Sequence, residues 1–219
     1  MLRLQEKQFL KSLRILLLLN NLKFKSKYNY SISSDEELML FIVKGSEKAF
    51  NELYKRYSKK MLFFFYSKLY QDNEKANDFL QSLFLKIIEH PQKFNSTQKF
   101  STWFYTVAYN MCKNEYRKNE NTNYSVEGYD LSSILDTSDT SYTNGHDVEY
   151  FKNQLENQLN QLGENHKETF ILRHQQDLSI KEISKIMDCV EGTVKSRLFY
   201  ATKVLAEKLK EFNSYYLNL

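Results

Sequence analysis

Residues that break helices are almost absent from this sequence, and their scarcity strongly limits the folds open to it. One proline and five glycines occur in 219 residues, whereas hairpins and tight turns depend heavily on these two residue types. Apolar side chains recur at three- and four-residue offsets along most of the chain, which is the spacing of one face of an α-helix. Long alternating patterns with hairpin turns are missing. The sequence therefore predicts an all-α fold.

Composition and charge narrow the class of protein further. Apolar residues make up 42% of the chain, which is enough for packed cores in one large domain or two small ones. A formal charge of +4 and a pI of about 8.8 permit nucleic acid as a partner without requiring it. Cys112 and Cys189 lack the spacing of a zinc site or disulfide framework. We expect a cytoplasmic protein without a metal.

Two neighbouring helical patterns between residues 73 and 118 have very different outer faces. The first begins after Asn73, ends before Pro91 and has a mainly polar front. That front consists of Asp78, Gln81, Ser82 and Leu85. The second pattern has an apolar stripe predicted to be buried: Trp103, Phe104, Val107, Ala108, Met111 and Cys112.

Rings and cations line up on another face of the second pattern. They are Tyr105, Tyr109, Lys113, Tyr116 and Arg117. Aromatic faces stack on unpaired bases of any sequence, and Lys or Arg neutralises the phosphates beside them. We interpret this face as a surface for a single nucleic-acid strand; the alternative is that the tyrosines cap a small helical core.

Changes in composition divide the chain into five segments. We assign residues 1–33 to a basic extension, 34–119 to a helical domain, 120–147 to a flexible acidic linker, 148–212 to a second helical domain and 213–219 to a tail. The apolar run at 15–19 is too short to span a bilayer, and no signal-peptide cleavage pattern follows it. The extension is either a frayed amphipathic segment or the product of an upstream start codon.

Local start signals mark helices in both domains. Ser34 with Glu37, and Ser179 with Glu182, form capping-box patterns. After the second box, a turn at residues 188–190 precedes another helix, which is the pattern of a helix-turn-helix. The outer side of its second helix carries donors and cations suited to a major groove: Thr193, Lys195, Ser196, Arg197 and Tyr200. An ordinary helical hairpin within a bundle is the alternative.

Together these segments resemble the extracytoplasmic-function sigma factors, the small two-domain sigma subunits of bacterial RNA polymerase. The segments that carry the resemblance are AFNELYKRY (49–57), ANDFLQSLFLKI (76–87), FSTWFYTVAYNMCKNEYRK (100–118) and LSIKEISKIMDCVEGTVKSRL (178–198). The last is shared with many helix-turn-helix regulators. The middle two, in this order and before an acidic linker, are much more specific.

The resemblance implies a residue set for each of three contacts. A polymerase-docking set, which would contact the clamp coiled-coil of the core enzyme, is Asp78, Gln81 and Leu85. A set for the minus-ten promoter element is Phe94, Phe100, Trp103, Tyr105, Asn110, Lys113 and Arg117, with Trp103 alternatively a core residue. The outer residues of the helix-turn-helix would enter the major groove at the minus-thirty-five element.

The chain departs from the family pattern in ways that weaken particular contacts. Ser82 stands where Glu is frequent, and Tyr200 replaces a common Arg that would contact phosphate. Val190 stands where a Ser helix cap is usual, a loss of about 1 kcal/mol. Gly163 replaces a frequent Pro with little consequence for function.

The resemblance also implies partners. These are the polymerase core, through its clamp coiled-coil and flap, promoter DNA and an anti-sigma factor, with no small-molecule substrate and no cofactor. The acidic linker resembles those that pass through the polymerase's RNA path. The main alternative is a stand-alone helix-turn-helix DNA-binding regulator. We do not expect an enzyme, because the sequence contains no nucleophile–base set, phosphate-cradling glycine loop or metal cluster.

Overall fold

The computed structural model describes residues 28–119, 145–210 and 212. Within these ranges the chain forms eight α-helices and two short 3-10 turns, with no strand, so the predicted all-α fold is confirmed. Most of the predicted extension and linker, and the whole predicted tail, lie outside the described residues. No helix in the described part is long and apolar enough to cross a membrane. The chain divides into two compact units, residues 1–130 and 131–219.

Four helices form the described part of the first unit. They are Asp35–Val43 (α1), Glu47–Lys68 (α2), Asn73–Glu89 (α3) and Phe100–Asn119 (α4). The 3-10 turns Tyr30–Ile32 and Pro91–Lys93 precede α1 and α4 respectively. Side-chain oxygens accept backbone hydrogen bonds at the first turns of α1, α2 and α3, which satisfies otherwise unpaired amides. The capping residues are Ser34, Ser46 and Asp72.

Helix α2 is the centre of this unit and contacts the other three helices. Phe50, Phe64 and Phe65 on α2 are at most 1% exposed, as expected for a helix that is apolar on most sides. Ring edges meet ring faces across the core, with centroids 5.8 Å apart for Phe50 and Phe84 and 5.7 Å apart for Phe64 and Tyr105. Such packing adds to the hydrophobic stabilisation of the buried rings. The aromatic core therefore fixes α3 and α4 against α2.

Arg56 of α2 ties the segment before α1 to the unit. All five N–H donors of its guanidinium are used, which is the full donor capacity of the group. Two bonds go to carboxylates and three to backbone carbonyls. The acceptors are Glu52 at 2.9 Å, Asp35 at 2.7 Å, and the carbonyls of Ser33 at 2.8 Å, Ser31 at 2.9 Å and Tyr30 at 3.2 Å.

A tyrosine completes this arrangement from the same helix. The Tyr57 hydroxyl donates to the second carboxylate oxygen of Asp35. Burial, followed by this bond to Asp35, raises the pKa of Tyr57 well above its ordinary value. Burial tends to lower the pKa of Arg56, but its bonds to Asp35 and Glu52 outweigh that effect and raise it. The two carboxylate oxygens of Asp35 thus accept from Arg56 and Tyr57.

The second unit contains the other four helices. They are Gly145–Gln161 (α5), Glu164–His174 (α6), Ile180–Ile186 (α7) and Glu191–Lys208 (α8). Helices α7 and α8 and the turn between them form the predicted helix-turn-helix, and the capping box of Ser179 and Glu182 is present. Val190 precedes α8 without a side-chain cap, as its apolar side chain predicts. Leu159, Leu162, Ala201 and Leu205 form a core cluster in this unit.

Candidate functional site

Helix α3 brings the predicted polymerase-docking set together on its outer side. Asp78 is exposed, and Gln81 and Leu85 are half-buried. The three residues are separated by three and four positions, so they lie on one side of the helix. The opposite side packs into the core through Ala76, Leu80, Leu83, Phe84, Ile87 and Ile88. The result is a partly accessible leucine with a carboxylate and an amide beside it.

Helix α4 carries one line of outward side chains. Asn110, Lys113 and Arg117 are exposed. Trp103 lies about two turns before Asn110, on the same side of the helix. With a rise of 1.5 Å per residue, the line from Trp103 to Arg117 is about 21 Å long. We call Trp103, Asn110, Lys113 and Arg117 the α4 stripe. It contains four members of the predicted minus-ten set.

The other three members of that set lie in the core. Phe94, Phe100 and Tyr105 are 8%, 0% and 1% exposed. Protein side chains cover their rings; for example, Phe100 contacts Tyr57 with centroids 5.3 Å apart. A base cannot stack on a covered ring face, so the prediction that these three contact DNA directly is corrected by their burial.

Helix α4 is therefore rotated relative to the sequence-based prediction. Tyr105, predicted to face outward, is buried beside Phe104, Ala108 and Cys112. Val107 and Met111, predicted to be buried, are only half-buried. Both sides of the helix carry aromatic or long apolar residues, so periodicity alone did not distinguish them.

Trp103 is supported from behind by the two buried phenylalanines. Its ring centroid lies 5.3 Å from that of Phe94 and 5.8 Å from that of Phe100. The side chain remains half-buried. Trp103 thus combines the two interpretations of the sequence: part of the indole packs in the core, and part is accessible. Phe94 and Phe100 hold it in position.

A carboxylate from α1 fixes the start of α4. The Phe100 amide donates to Glu36 Oε1 at 2.7 Å, across 64 positions of sequence. A carboxylate at a helix N-terminus both accepts an unpaired amide and interacts favourably with the helix dipole. The preceding loop, residues 95–99, is exposed, and Asn95 Oδ1 accepts from the Thr97 amide at 3.0 Å. Sequence reasoning missed Glu36 because no local pattern connects it to α4.

The flank of α4 that faces α2 is held by a buried lysine. Lys68 is 8% exposed, and its Nζ lies 5.5 Å from the ring centroid of Tyr109 and 5.3 Å from that of Tyr116. The Tyr116 hydroxyl donates to the Lys68 carbonyl, and Lys75 Nζ lies 2.8 Å from Glu115 Oε1. Tyr109 and Tyr116, predicted to face a nucleic acid, therefore pack against α2 and orient the α4 stripe.

The predicted minus-thirty-five residues on α8 fall on two sides of the helix. Lys195 and Ser196 are exposed. Tyr200 is 51% exposed but lies against His166 of α6, with centroids 4.6 Å apart. Arg197 is half-buried, and its Nη1 lies 3.8 Å from Cys189 Sγ in the turn. Thr193 is also half-buried.

An aromatic residue that sequence reasoning missed lies on the outer side of α8. Phe199 is 73% exposed and follows Ser196 by three residues and Lys195 by four, so the three share one side. The opposite side is buried through Val194, Ala201 and Leu205. Counting helical positions from this buried side would have identified Phe199, whereas a search for polar donors did not.

Metal ligands do not cluster in the part of the chain that the structure describes: no group of three or more His, Cys, Asp or Glu side chains there could hold an ion. The chemistry available to the site is hydrogen bonding, charge and aromatic stacking. These interactions suit binding.

Comparisons with known proteins agree with both units. The family models Sigma-70 region 2 and Sigma-70, region 4 match residues 53–122 and 152–205. The structure of CnrH in complex with the cytosolic domain of CnrY has a similar fold, with a TM-score of 0.58 and 16% identity over 82% of this chain and 99% of that one. The structure of RpoE from Bartonella quintana in complex with the anti-sigma factor NepR has a TM-score of 0.51 and 22% identity, over 69% of this chain and 91% of that one.

A relative in sequence is more similar still. The ECF RNA polymerase sigma-E factor of Haemophilus influenzae is 30% identical over 188 residues, which cover 81% of this chain and 96% of that protein. The match therefore includes both units. The chain belongs to the extracytoplasmic-function (ECF) family of RNA polymerase sigma factors.

Proposed function

We propose that this protein binds the core of a bacterial RNA polymerase, directs it to particular promoters and helps to open the DNA there. The observation that carries the proposal is the α4 stripe, which combines a supported indole with two exposed cations on a rigid helix. A stand-alone helix-turn-helix regulator would use the second unit and leave the stripe without a role. We further propose that it acts in the cytoplasm. It would have no catalytic activity of its own, because the polymerase core supplies the chemistry.

Each proposed domain is assigned to one promoter element. Residues 34–119 form a region 2 domain for core polymerase and the minus-ten element, and residues 148–212 form a region 4 domain for the minus-thirty-five element. Residues 120–147 are the acidic linker between them, and residues 1–33 and 213–219 are terminal extensions.

The outer side of α3 is the proposed docking surface for the clamp coiled-coil. Leu85 supplies an apolar anchor, and Asp78 and Gln81 supply polar contacts beside it, an arrangement common at protein interfaces. Ser82 is exposed next to them and is shorter than the frequent Glu. We therefore assign most of the binding energy on this face to Leu85 and Asp78.

The α4 stripe is the proposed surface for the separated non-template strand. Lys113 and Arg117 neutralise phosphates, Trp103 stacks on a base, and the Asn110 amide donates to and accepts from base edges. Extruding a base from the duplex costs a few kcal/mol. Stacking and pocket contacts made only with the open strand offset that cost, so the stripe favours the melted state.

The outer side of α8 is the proposed reading surface for duplex DNA. Lys195 and Ser196 reach base edges or phosphates, and Phe199 makes an apolar contact of the kind that recognises the methyl group of thymine. Thr193, Arg197 and Tyr200 lie nearer the turn and α6, where phosphate contacts are the proposed role.

An anti-sigma factor is the proposed regulatory partner. The solved structure of RpoE from Bartonella quintana, whose fold is similar, contains the anti-sigma factor NepR. We extend this type of partner to the present chain and place it on the α3 docking surface, where it would compete with core polymerase.

Two binding measurements test these assignments separately. Fluorescence anisotropy with labelled protein measures affinity for core polymerase, which we expect Leu85→Ala and Asp78→Ala to weaken at least tenfold together, whereas Lys59→Ala on α2 has no effect. Affinity of the reconstituted holoenzyme for a single-stranded oligonucleotide should fall in Trp103→Ala and Lys113→Gln. Unchanged affinities in these variants would refute the corresponding surface.

A further inference from the structure

The turn between α2 and α3 holds an aromatic residue in an unfavourable backbone conformation. Tyr70 and Gln71 have φ values of 57° and 62°, in the left-handed region that side chains with a Cβ atom disfavour. Glycine is the usual residue at such a position after a helix. The Gln71 amide donates to the Tyr66 carbonyl at 3.1 Å, and the Asp72 amide donates to the Leu69 carbonyl at 3.1 Å. The conformation is therefore fixed by the end of α2.

The Tyr70 ring lies at the C-terminal end of the α4 stripe. Its centroid is 5.8 Å from that of Tyr116, with the two planes at 78°. Tyr116 precedes Arg117, the last residue of the stripe, and is itself attached to α2 through the Lys68 carbonyl. The Tyr70 side chain is nevertheless 54% exposed. Contact with Tyr116 therefore orients the ring without covering it.

The charges around the ring favour a polyanion. Exposed cations occupy the last two turns of α4: Lys113, Arg117 and Lys118. Of the carboxylates in this region, Glu115 pairs with Lys75 at 2.8 Å and Asp72 caps the Lys75 amide at 3.0 Å, whereas Glu74 is exposed. A phosphate backbone that follows the cations of α4 would continue past the Tyr70 ring.

We propose that Tyr70 is a further DNA contact, on which a base or sugar of the non-template strand packs after the strand leaves Arg117. The inference rests on the proposed role of the α4 stripe and extends that surface onto a second structural element. Stacking on an aromatic face requires no particular base, so the contact adds affinity without sequence preference. A left-handed conformation at an aromatic residue is the type of local strain that accumulates at functional sites.

Probe length and a strain-relieving substitution test the proposal together. The α4 stripe spans about 21 Å, or about 6 nucleotides at 3.4 Å each, so oligothymidines of 6 and 15 nucleotides distinguish the stripe from its extension. The measurement is the affinity of the holoenzyme for each probe, with core polymerase alone as the baseline. Tyr70→Gly removes the ring and relieves the left-handed strain.

We expect Tyr70→Gly to bind the 15-nucleotide probe about fivefold to tenfold more weakly, in the range of one lost stacking contact. Binding of the 6-nucleotide probe and of core polymerase should not change, and the urea midpoint of unfolding should be unchanged or higher. Tyr70→Phe keeps the ring and should bind both probes within twofold of the wild type.

Each of the following results would overturn the proposal. Equal affinity of Tyr70→Gly and wild type for the longer probe means that the ring contacts no DNA. Equal losses on both probes, or a lower urea midpoint, mean that Tyr70 acts only by supporting Tyr116. Weaker binding to core polymerase means that the ring contacts protein. Failure of the wild-type holoenzyme to bind either probe above baseline refutes the single-strand role of the α4 stripe itself, and this inference with it.

Discussion

Replacing Arg56 by methionine should destabilise the first unit far more than replacing an exposed charged residue of the same helix. Methionine keeps an unbranched stem as far as the Nε position but removes five hydrogen bonds, two of them to the carboxylates of Asp35 and Glu52. It also leaves Asp35 with Tyr57 as its remaining donor in this network. The segment before α1 loses its attachment through three backbone carbonyls.

The magnitude follows from the partial burial of the network. The side chains of Arg56 and Asp35 are 24% and 22% exposed, so we count each bond at the middle of the range for surface pairs, about 0–1 kcal/mol, rather than at the about 1.5–3 kcal/mol of buried charged bonds. Taking about 0.5 kcal/mol for each bond gives a loss of about 2–3 kcal/mol in the free energy of unfolding. Arg56→Lys keeps the charge without the planar fork and should lose about half as much.

The sequence provides a specific probe for this measurement. Trp103 is the single tryptophan of the chain and lies in the first unit against Phe94 and Phe100, so its fluorescence reports unfolding of that unit alone. With a urea dependence of about 1–1.5 kcal/mol per molar, the midpoint for Arg56→Met should fall by about 2 M. Lys59→Met, an exposed change on the same helix, should stay within about 0.5 kcal/mol of the wild type. A loss below about 0.5 kcal/mol in Arg56→Met would refute the reasoning.

Three further predictions concern single residues. Folding raises the pKa of Tyr57, so the stability that its protonated hydroxyl contributes is present below pH 10 and is lost as the pH rises further. In Tyr57→Phe, the free energy of unfolding should therefore fall less steeply above pH 10, as measured by urea titrations with tryptophan fluorescence. Phe199→Ala should weaken binding of the holoenzyme to a duplex promoter by about 1 kcal/mol, about fivefold, without changing the thermal midpoint; an unchanged affinity would remove Phe199 from the reading surface. Val190→Ser should supply the missing cap of α8 and stabilise the second unit by about 1 kcal/mol, measured by circular dichroism; unchanged stability would contradict this prediction.

Features set by neighbouring residues could be predicted from the sequence. The capping boxes of Ser34 and Ser179 depend on residues three positions apart, and both are present. The central position of α2 followed from its apolar surface. The outer side of α3 could be identified because the opposite side is uniformly apolar, and only one orientation of the helix buries it.

Features set by distant residues could not be predicted in the same way. Tyr105 and Trp103 are both large and aromatic, and α4 buries the one that meets Phe64 of α2. The bond from Glu36 to α4 and the network of Arg56 join segments that no periodic pattern connects. In each case the outcome depends on how helices pack, which is information that a helical repeat does not contain.

Run-off transcription is the most direct test of whether this chain gives promoter specificity to RNA polymerase. Purified protein and bacterial core polymerase are incubated with a library of promoter fragments from the source genome, and the transcripts are mapped. We expect defined start sites that are absent with core alone and are lost when Asp78, Gln81 and Leu85 are replaced by alanine. Absence of defined starts and of binding to core, together with tight duplex binding by the protein alone, would contradict this expectation and favour a stand-alone regulator.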